Sequence, residues 1–301
     1  MGNLEKKVKG IGEEVGLYVE TLQARRFSLR TVDCYRRALG DFVARVKKPD
    51  VRSILAPDLE AYRLNLLERR FKPASIQSYF QAIRGFFRHL EEQQAIFENP
   101  AEGLPVMKVP TLLQPVPTEE EMRILLGQPK VATSVGIRDR AMLEFVYSTG
   151  VRRQELLDLK VSSIQRDASE ARIFGKGGKE RMVPVGQVAL DWVGRYLDEV
   201  RGDWAAGGSG EALWLAATGR PLGAGAIVIN LRQYQRQGNI QTRIGLHSIR
   251  RACATHMLRR GASPVAIQQL LGHATLENLE QYLKVSIADL KRAHENSRVG
   301  Q

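Results

Sequence analysis

Apolar residues recur at helical spacing through the first third of the chain. Between Ile11 and Arg25 they fall at Val15, Leu17, Tyr18 and Leu22, which predicts a first helix. Ser28 is placed to cap a second that runs to Val46, with Tyr35, Leu39, Phe42 and Val43 along one face. Pro57 suits the first turn of a third helix carrying Leu59, Tyr62, Leu66 and Leu67. Ser75 is read as the cap of a fourth, whose stripe is Ile76, Tyr79, Phe80, Ile83, Phe86, Phe87 and Leu90. Asn99-Pro100 closes the block. Four such helices predict a compact α-helical domain over residues 1–107.

Periodicity then lapses. Residues 108–117 hold three prolines and are expected to form an extended linker. Thr118 with Glu121 matches a capping box, so a second domain over 118–301 opens on a helix. Helices are expected at about 118–127 and 136–149, followed by a short one holding Arg152. Strand-like alternation follows at 161–165, 170–174 and 180–185, with Gly175-Lys176-Gly177-Gly178 as the turn between the last two. Helical patterning dominates again from about 188. The fold class is therefore mainly α with a small antiparallel β-sheet: a helical N-terminal domain and a mixed α/β C-terminal one.

Composition narrows the partners. The 301 residues carry a net charge of +12, with pI ≈ 9.9, a surplus that points to a polyanion, nucleic acid being the commonest. The two cysteines, Cys34 and Cys253, lie far apart and in no paired spacing, which argues against a disulfide scaffold or zinc site and fits a reducing cytoplasm. No apolar run approaches the roughly 20 residues that span a bilayer, and no signal peptide is expected. A cytoplasmic location without a membrane partner follows as an expectation.

The chemistry sits in the second half. Ser148-Thr149-Gly150-Val151-Arg152 reads as one helix ending and another beginning, so Arg152 lies beside outward-pointing amides that suit an anion. Glu155, one turn on, can hold its guanidinium. Alone, this motif is better read as a surface arginine in a helix-turn-helix. Gly175-Lys176-Gly177-Gly178 permits a tight hairpin with a lysine at its tip, though a plain solvated turn would look the same. His247 and Arg250 are three apart and share a helical face. Gly272 reads as a helix stop that presents His273, and Tyr282 lies in an amphipathic segment where a core tyrosine is the bland alternative. His256 is expected to be structural. The histidines have no carboxylate or cysteine at ligand spacing, so no metal set emerges. Taken together, Arg152, Lys176, His247, Arg250, His273 and Tyr282 describe a site for attack on a phosphodiester by a tyrosine: cations and donors suited to phosphate, and a nucleophile to take it covalently.

With those residues on view, the chain resembles the tyrosine recombinases of the phage-integrase superfamily, and most closely their compact Xer-type members. The family pattern is an arginine in a Thr-Gly-x-Arg turn, a lysine in a glycine hairpin, His-x-x-Arg, Leu-Gly-His, and a tyrosine about ten residues on. All are present in order, and the N-terminal helical block is similar to the family's core-binding domain. The resemblance implies that Tyr282 attacks the scissile phosphate to give a 3′-phosphotyrosyl link and a free 5′-hydroxyl. Arg152 and Arg250 would clamp the non-bridging oxygens, Lys176 would protonate the leaving oxygen, His247 would assist proton transfer at the tyrosine and His273 would donate to the phosphate. Glu155 would support Arg152. It implies no cofactor, neither Mg²⁺ nor ATP. Its partners would be double-stranded DNA with inverted half-sites and three further copies of the chain, in a tetramer on two sites that passes through a Holliday junction; it leaves room for a helper protein. Three departures stand out. Arg251 replaces a frequent histidine, Leu283-Lys284 replaces a Thr-His pair, and Glu277–Gln281 lacks the usual threonines. They favour a mobile-element recombinase at least as much as a chromosome-dimer resolving protein.

Candidate DNA contacts in the helical block are Arg30, Arg36, Arg37, Gln77, Arg84 and Arg88, each equally readable as a solvated helix position. Lys179 and Arg181 extend that set to the hairpin. The segment 285–297, with Val285, Ile287, Leu290 and Ala293 at helical spacing, is expected to pack into a neighbouring subunit. Two competing readings are a type IB-like topoisomerase or telomere resolvase, for which the chain is short, and a non-catalytic DNA-binding regulator, which has no need of Tyr282 or the arginine pair.

Overall fold

A computed structural model describes residues 10–104, 115–175, 178–205 and 209–272. They fall into two compact units, parted between Leu112 and Leu113.

The first unit is helical throughout. It contains α1 (Ile11–Ala24), α2 (Leu29–Val46), α3 (Ala56–Glu68) and α4 (Pro73–Glu92). Ser28 caps α2 as the sequence suggests, accepting from the Thr31 amide at 3.2 Å. Helix α4 begins earlier than expected. Pro73 takes its first turn and Ser75 sits inside it, because proline's fixed φ is preset for a helix start and its missing N–H is not needed there. The predicted stripes meet in one core where Phe42, Phe86 and Phe87 are wholly enclosed and lie edge-on or tilted to one another. Tyr62 donates to Asp41, which also takes two hydrogen bonds from Arg69 at 2.8 and 3.0 Å.

The second unit opens at α5 (Glu119–Gly127), whose capping box is formed in both directions: the Glu121 amide donates to Thr118 Oγ1 and the Thr118 amide to Glu121. Helix α6 (Ser134–Thr149) is buried on nearly every side and ends at Gly150, which adopts φ 61°. The short α7 (Arg153–Leu157) follows at once. The sheet is three-stranded and antiparallel: β1 (Ile164–Gln165), β2 (Glu170–Phe174) and β3 (Glu180–Pro184). The run expected as a strand at 161–165 is mostly a 3₁₀ turn, Val161–Ser163. There the Val161 amide pairs with Glu211, and only two residues reach the ladder. Ala171 and Ile173 of β2 and Val183 of β3 face the core. Helix α8 (Gln187–Tyr196) runs through a π turn, Leu197–Arg201, into α9 (Gly202–Trp204). The last described helices are α10 (Ala224–Gln237), α11 (Leu246–Arg259) and α12 (Pro264–Leu271). Pro115, Val116 and Pro117, expected in the linker, belong to this unit: Val116 packs on its core and Pro117 is buried. No described helix is long and apolar enough to cross a membrane.

Candidate active site

Three helix ends converge. Gly150 ends α6, Gly272 ends α12, and Arg152 caps α7. Both glycines are left-handed, with φ 61° and 62°, as a helix C-terminus commonly requires. Their neighbourhood is too tight for a side chain. A Cβ on Gly150 would lie 2.6 Å from Leu271 Cδ2 and 3.8 Å from Arg250 Cγ, and one on Gly272 would stand 3.0 Å from the Arg181 guanidinium.

The carbonyls at these helix ends lack partners within their own helices, and arginines supply them. Arg250, on α11 and 2% exposed, donates through Nη1 to the Gly150 carbonyl and through Nη2 to the Leu271 carbonyl at 2.7 Å. Arg152 donates through Nη2 to the Gly272 carbonyl at 3.1 Å. The two arginines that chain order separates by almost 100 residues are thus fixed on one frame.

Glu155 ties this frame together. It is buried, accepts from the Arg152 backbone at 2.9 Å and from Arg152 Nη1 at 2.8 Å, and takes a two-pronged pair from Arg181 at 3.0 and 2.8 Å. Burial alone would raise its pKa. The hydrogen bonds from Arg181 and Arg152 overcome that and hold it down at about 2. The carboxylate is therefore ionised at any working pH and cannot serve as a proton donor.

His247 lies in the first turn of α11, three residues before Arg250, and reaches solvent. Partial desolvation lowers its pKa, and the positive charges of Arg251, Arg250 and Arg152 lower it further. A neutral imidazole, able to accept a proton, results at neutral pH. His256, by contrast, is buried, and its Nδ1 is 2.8 Å from the Tyr147 hydroxyl, in line with its structural reading.

Lys176, His273 and Tyr282 lie outside the described residues, as does the segment 285–297. Their described neighbours are informative. Gly175 closes the hairpin through its amide to the Lys179 carbonyl at 2.7 Å, and a Cβ on it would stand 3.9 Å from Glu155 Oε1. The base of the hairpin therefore abuts the Arg152–Glu155 pair. Gly272, which precedes His273, is the residue that Arg152 holds.

Arg181, expected to face DNA, is turned inward. It shares a strand face with Val183, binds Glu155 on both prongs and donates through Nε to the Leu270 carbonyl at 3.2 Å. Its parity with Val183 and Val185 is the sequence signal that marks it as inward. Arg84 is likewise half-buried and donates to the Leu104 carbonyl at 3.2 Å. Arg36 pairs with Asp33 at 2.7 Å, and Arg37 reaches the Asp33 carbonyl at 3.3 Å. Arg30, Gln77, Arg88 and Lys179 are exposed. Gln77, Arg84 and Arg88 are spaced by seven and four, so they share one side of α4.

A cleft of about 620 Å³ opens beside His247, and Pro115, Arg153, Arg232, Arg243 and Arg251 are among its walls. Among its described lining residues no carboxylate occurs. Arg153, Arg232 and Arg243 are exposed, and sequence reasoning did not single them out. They come from α7, α10 and the α10–α11 loop, so no spacing in the chain announces them. The element that carries Arg232 is firmly mounted. Asn230 and Tyr234 of α10 each donate to buried Asp139 of α6 at 2.7 Å, and Gln235 makes two hydrogen bonds with Ile244 backbone groups, at 2.8 and 2.7 Å.

Comparison with known proteins places the chain in a family. Residues 116–288 match the model of the phage integrase family, and residues 17–96 match the phage integrase N-terminal SAM-like domain. The chain is 35% identical over 275 residues to the tyrosine recombinase XerD of Chlorobaculum tepidum, covering 90% of each. Its fold is similar to that of the XerH site-specific recombinase bound to a palindromic difH substrate in a post-cleavage complex (TM-score 0.78, 18% identity, 97% of this chain and 98% of that one). It is also similar to a lambda integrase tetramer bound to a Holliday junction (TM-score 0.75, 17% identity, 92% and 78%).

Proposed function

This chain belongs to the phage integrase family and is a DNA strand transferase of the tyrosine-recombinase type, and from that premise we propose how its own residues carry site-specific strand exchange. The observation that supports the reading most is the frame of helix-end carbonyls and Glu155 on which Arg152 and Arg250 are held together. A guanidinium has five N–H donors, enough to hold protein carbonyls and a phosphate oxygen at once. Donors fixed before the substrate arrives need no reorganisation as charge builds on the phosphoryl oxygens.

In the proposed reaction, the Tyr282 oxygen attacks the scissile phosphorus. The bond to the 5′-oxygen breaks, and the strand leaves as a 5′-hydroxyl while the 3′-phosphate stays on the tyrosine. His247 takes the tyrosine proton, and Lys176 supplies one to the leaving oxygen. His273 donates to a phosphoryl oxygen beside Arg152 and Arg250. One P–O bond replaces another, so rejoining to a second strand needs no external energy source. The same reading gives a tetramer on two DNA sites with inverted half-sites, acting in the cytoplasm. The similar folds of XerH, bound to a palindromic substrate, and of the lambda integrase tetramer, bound to a Holliday junction, support the assembly. Arg153, Arg232 and Arg243 are proposed to meet the phosphates that flank the scissile one.

A two-site assay tests this. Plasmids bearing paired copies of DNA from beside the gene are incubated with the protein in EDTA. Recombinants and junction intermediates are expected. Tight binding without strand exchange on any flanking segment would favour a regulator. Glutamine at Arg153, Arg232 or Arg243 is expected to lower the slope of log affinity against log salt by roughly 0.9 per lost phosphate contact. An unchanged slope would remove that residue from the interface.

A further inference from the structure

The residue next to Arg250 has a job that the phosphodiester chemistry does not use. Arg251 is 7% exposed, though long cations are rarely enclosed. Its Nη2 donates to the carbonyl of Pro115 at 2.9 Å, 136 positions away in sequence. Pro115 is the first described residue of the proline-rich stretch. From there the chain lies down on the second unit, with Val116 packed on its core and Pro117 buried. Further along, Glu119 pairs with Arg260 at 2.7 Å. This strap therefore runs along the helix that carries both His247 and Arg250, and its first residue forms part of the cleft wall with His247 and Arg153.

From this geometry we propose that Arg251 is a positioning residue: it latches the carbonyl of Pro115 to α11, making the strap a wall of the catalytic cleft. The latch rests on the strand-transfer reading above for its effect on rate, but not for its effect on the strap. Proline supplies no N–H, so the carbonyl is the backbone polar handle it offers. A hydrogen bond from a charged donor in a mostly buried setting is among the stronger ones. The Arg251 charge also acts on His247, as do Arg250 of the same helix and Arg152 at the cap of α7, and Arg153, Arg232 and Arg243 line the same cleft. Removing it takes away one of the charges that keep the imidazole neutral.

The test uses the full chain with Arg251→Met, Arg251→Lys and, on the strap side, Val116→Ala. Hydrogen exchange at the Val116, Thr118 and Glu119 amides reads the latch without DNA, since Pro115 and Pro117 carry no N–H. Covalent-adduct formation on nicked duplexes reads the catalytic consequence. Arg251→Met is expected to speed strap exchange, to slow adduct formation by on the order of tenfold with half-site binding within about twofold, and to move the acid limb of the rate to higher pH. Arg251→Lys is expected to recover most of the rate, and Val116→Ala to reproduce the faster strap exchange should Arg251→Met fold poorly. Wild-type strap exchange in a folded Arg251→Met would overturn the latch, as would a lysine variant as slow as the methionine one; should Arg251→Met not fold, wild-type strap exchange in Val116→Ala would overturn it. If the wild-type protein itself forms no adduct, the strand-transfer reading fails, while the exchange data still decide the latch.

Discussion

The two units differ in where they place arginine. In the first, arginines pair with acids at or near the surface, as Arg36 does with Asp33 and Arg69 with Asp41, while the interior is left to aromatic and aliphatic side chains. In the second, Arg250, Arg251 and Arg138 are buried, and each donates to a backbone carbonyl from a distant stretch of chain. The first unit is held by apolar burial. The second adds a polar frame that fixes where cations sit. Because an unpaired buried charge is costly, such a frame works only when every member is in place. Strand chemistry needs fixed cations.

Cutting the apolar core should give the largest change in stability. Phe86→Ala is expected to destabilise the first unit by about 3–5 kcal/mol. Hydrogen exchange should rise across α1 to α4 and stay unchanged in α6 and α11. A matched rise in the second unit would mean that the two cores are not separate.

Glu155→Gln strikes the polar frame. Its folded pKa of about 2 lies below the ordinary 4.5, so its stabilisation is complete above pH 4.5 and is lost as pH falls toward 2. At pH 7 the variant should lose about 3 kcal/mol in urea unfolding. The gap from wild type should close on acidification through that window. A gap independent of pH would show that Glu155 acts by shape alone.

Glycines sharpen the contrast at smaller cost. Gly150→Ala is expected to lose about 2–3 kcal/mol, from left-handed strain and collision with Leu271. Gly40 lies within α2 with nothing within 4 Å of an added Cβ, so Gly40→Ala should be stabilising by about 0.5–1 kcal/mol. Thermal unfolding of the two variants checks both signs.

This division also explains what the sequence could reveal. Helical stripes such as Ile76 to Leu90 and the Thr118–Glu121 box are local patterns, and the structure places them as expected. Helix starts were less legible, since Pro73 and Ser75 are both plausible openings and only the backbone decides. The site motifs were visible because each is local: Arg152 with Glu155, His247 with Arg250. What joins them was not. Arg250 on the Gly150 and Leu271 carbonyls, Arg181 on Glu155, Arg251 on Pro115 and Asp139 under α10 are contacts between residues far apart in sequence, and no periodicity encodes them. Arg181 shows the limit best. Its charge suggested DNA, while its parity with Val183 pointed inward, and parity prevailed.

In the proposed reaction the fixed arginine frame serves a tyrosine that takes phosphate covalently. The most direct measurement is to incubate the protein, without metal, with nicked duplexes from DNA flanking its gene and to resolve the products on a denaturing gel. A protein–DNA adduct is predicted for the wild type and none for Tyr282→Phe, with half-site binding kept in both. An adduct that persists in Tyr282→Phe would contradict the account, and so would tight, specific binding that never yields one.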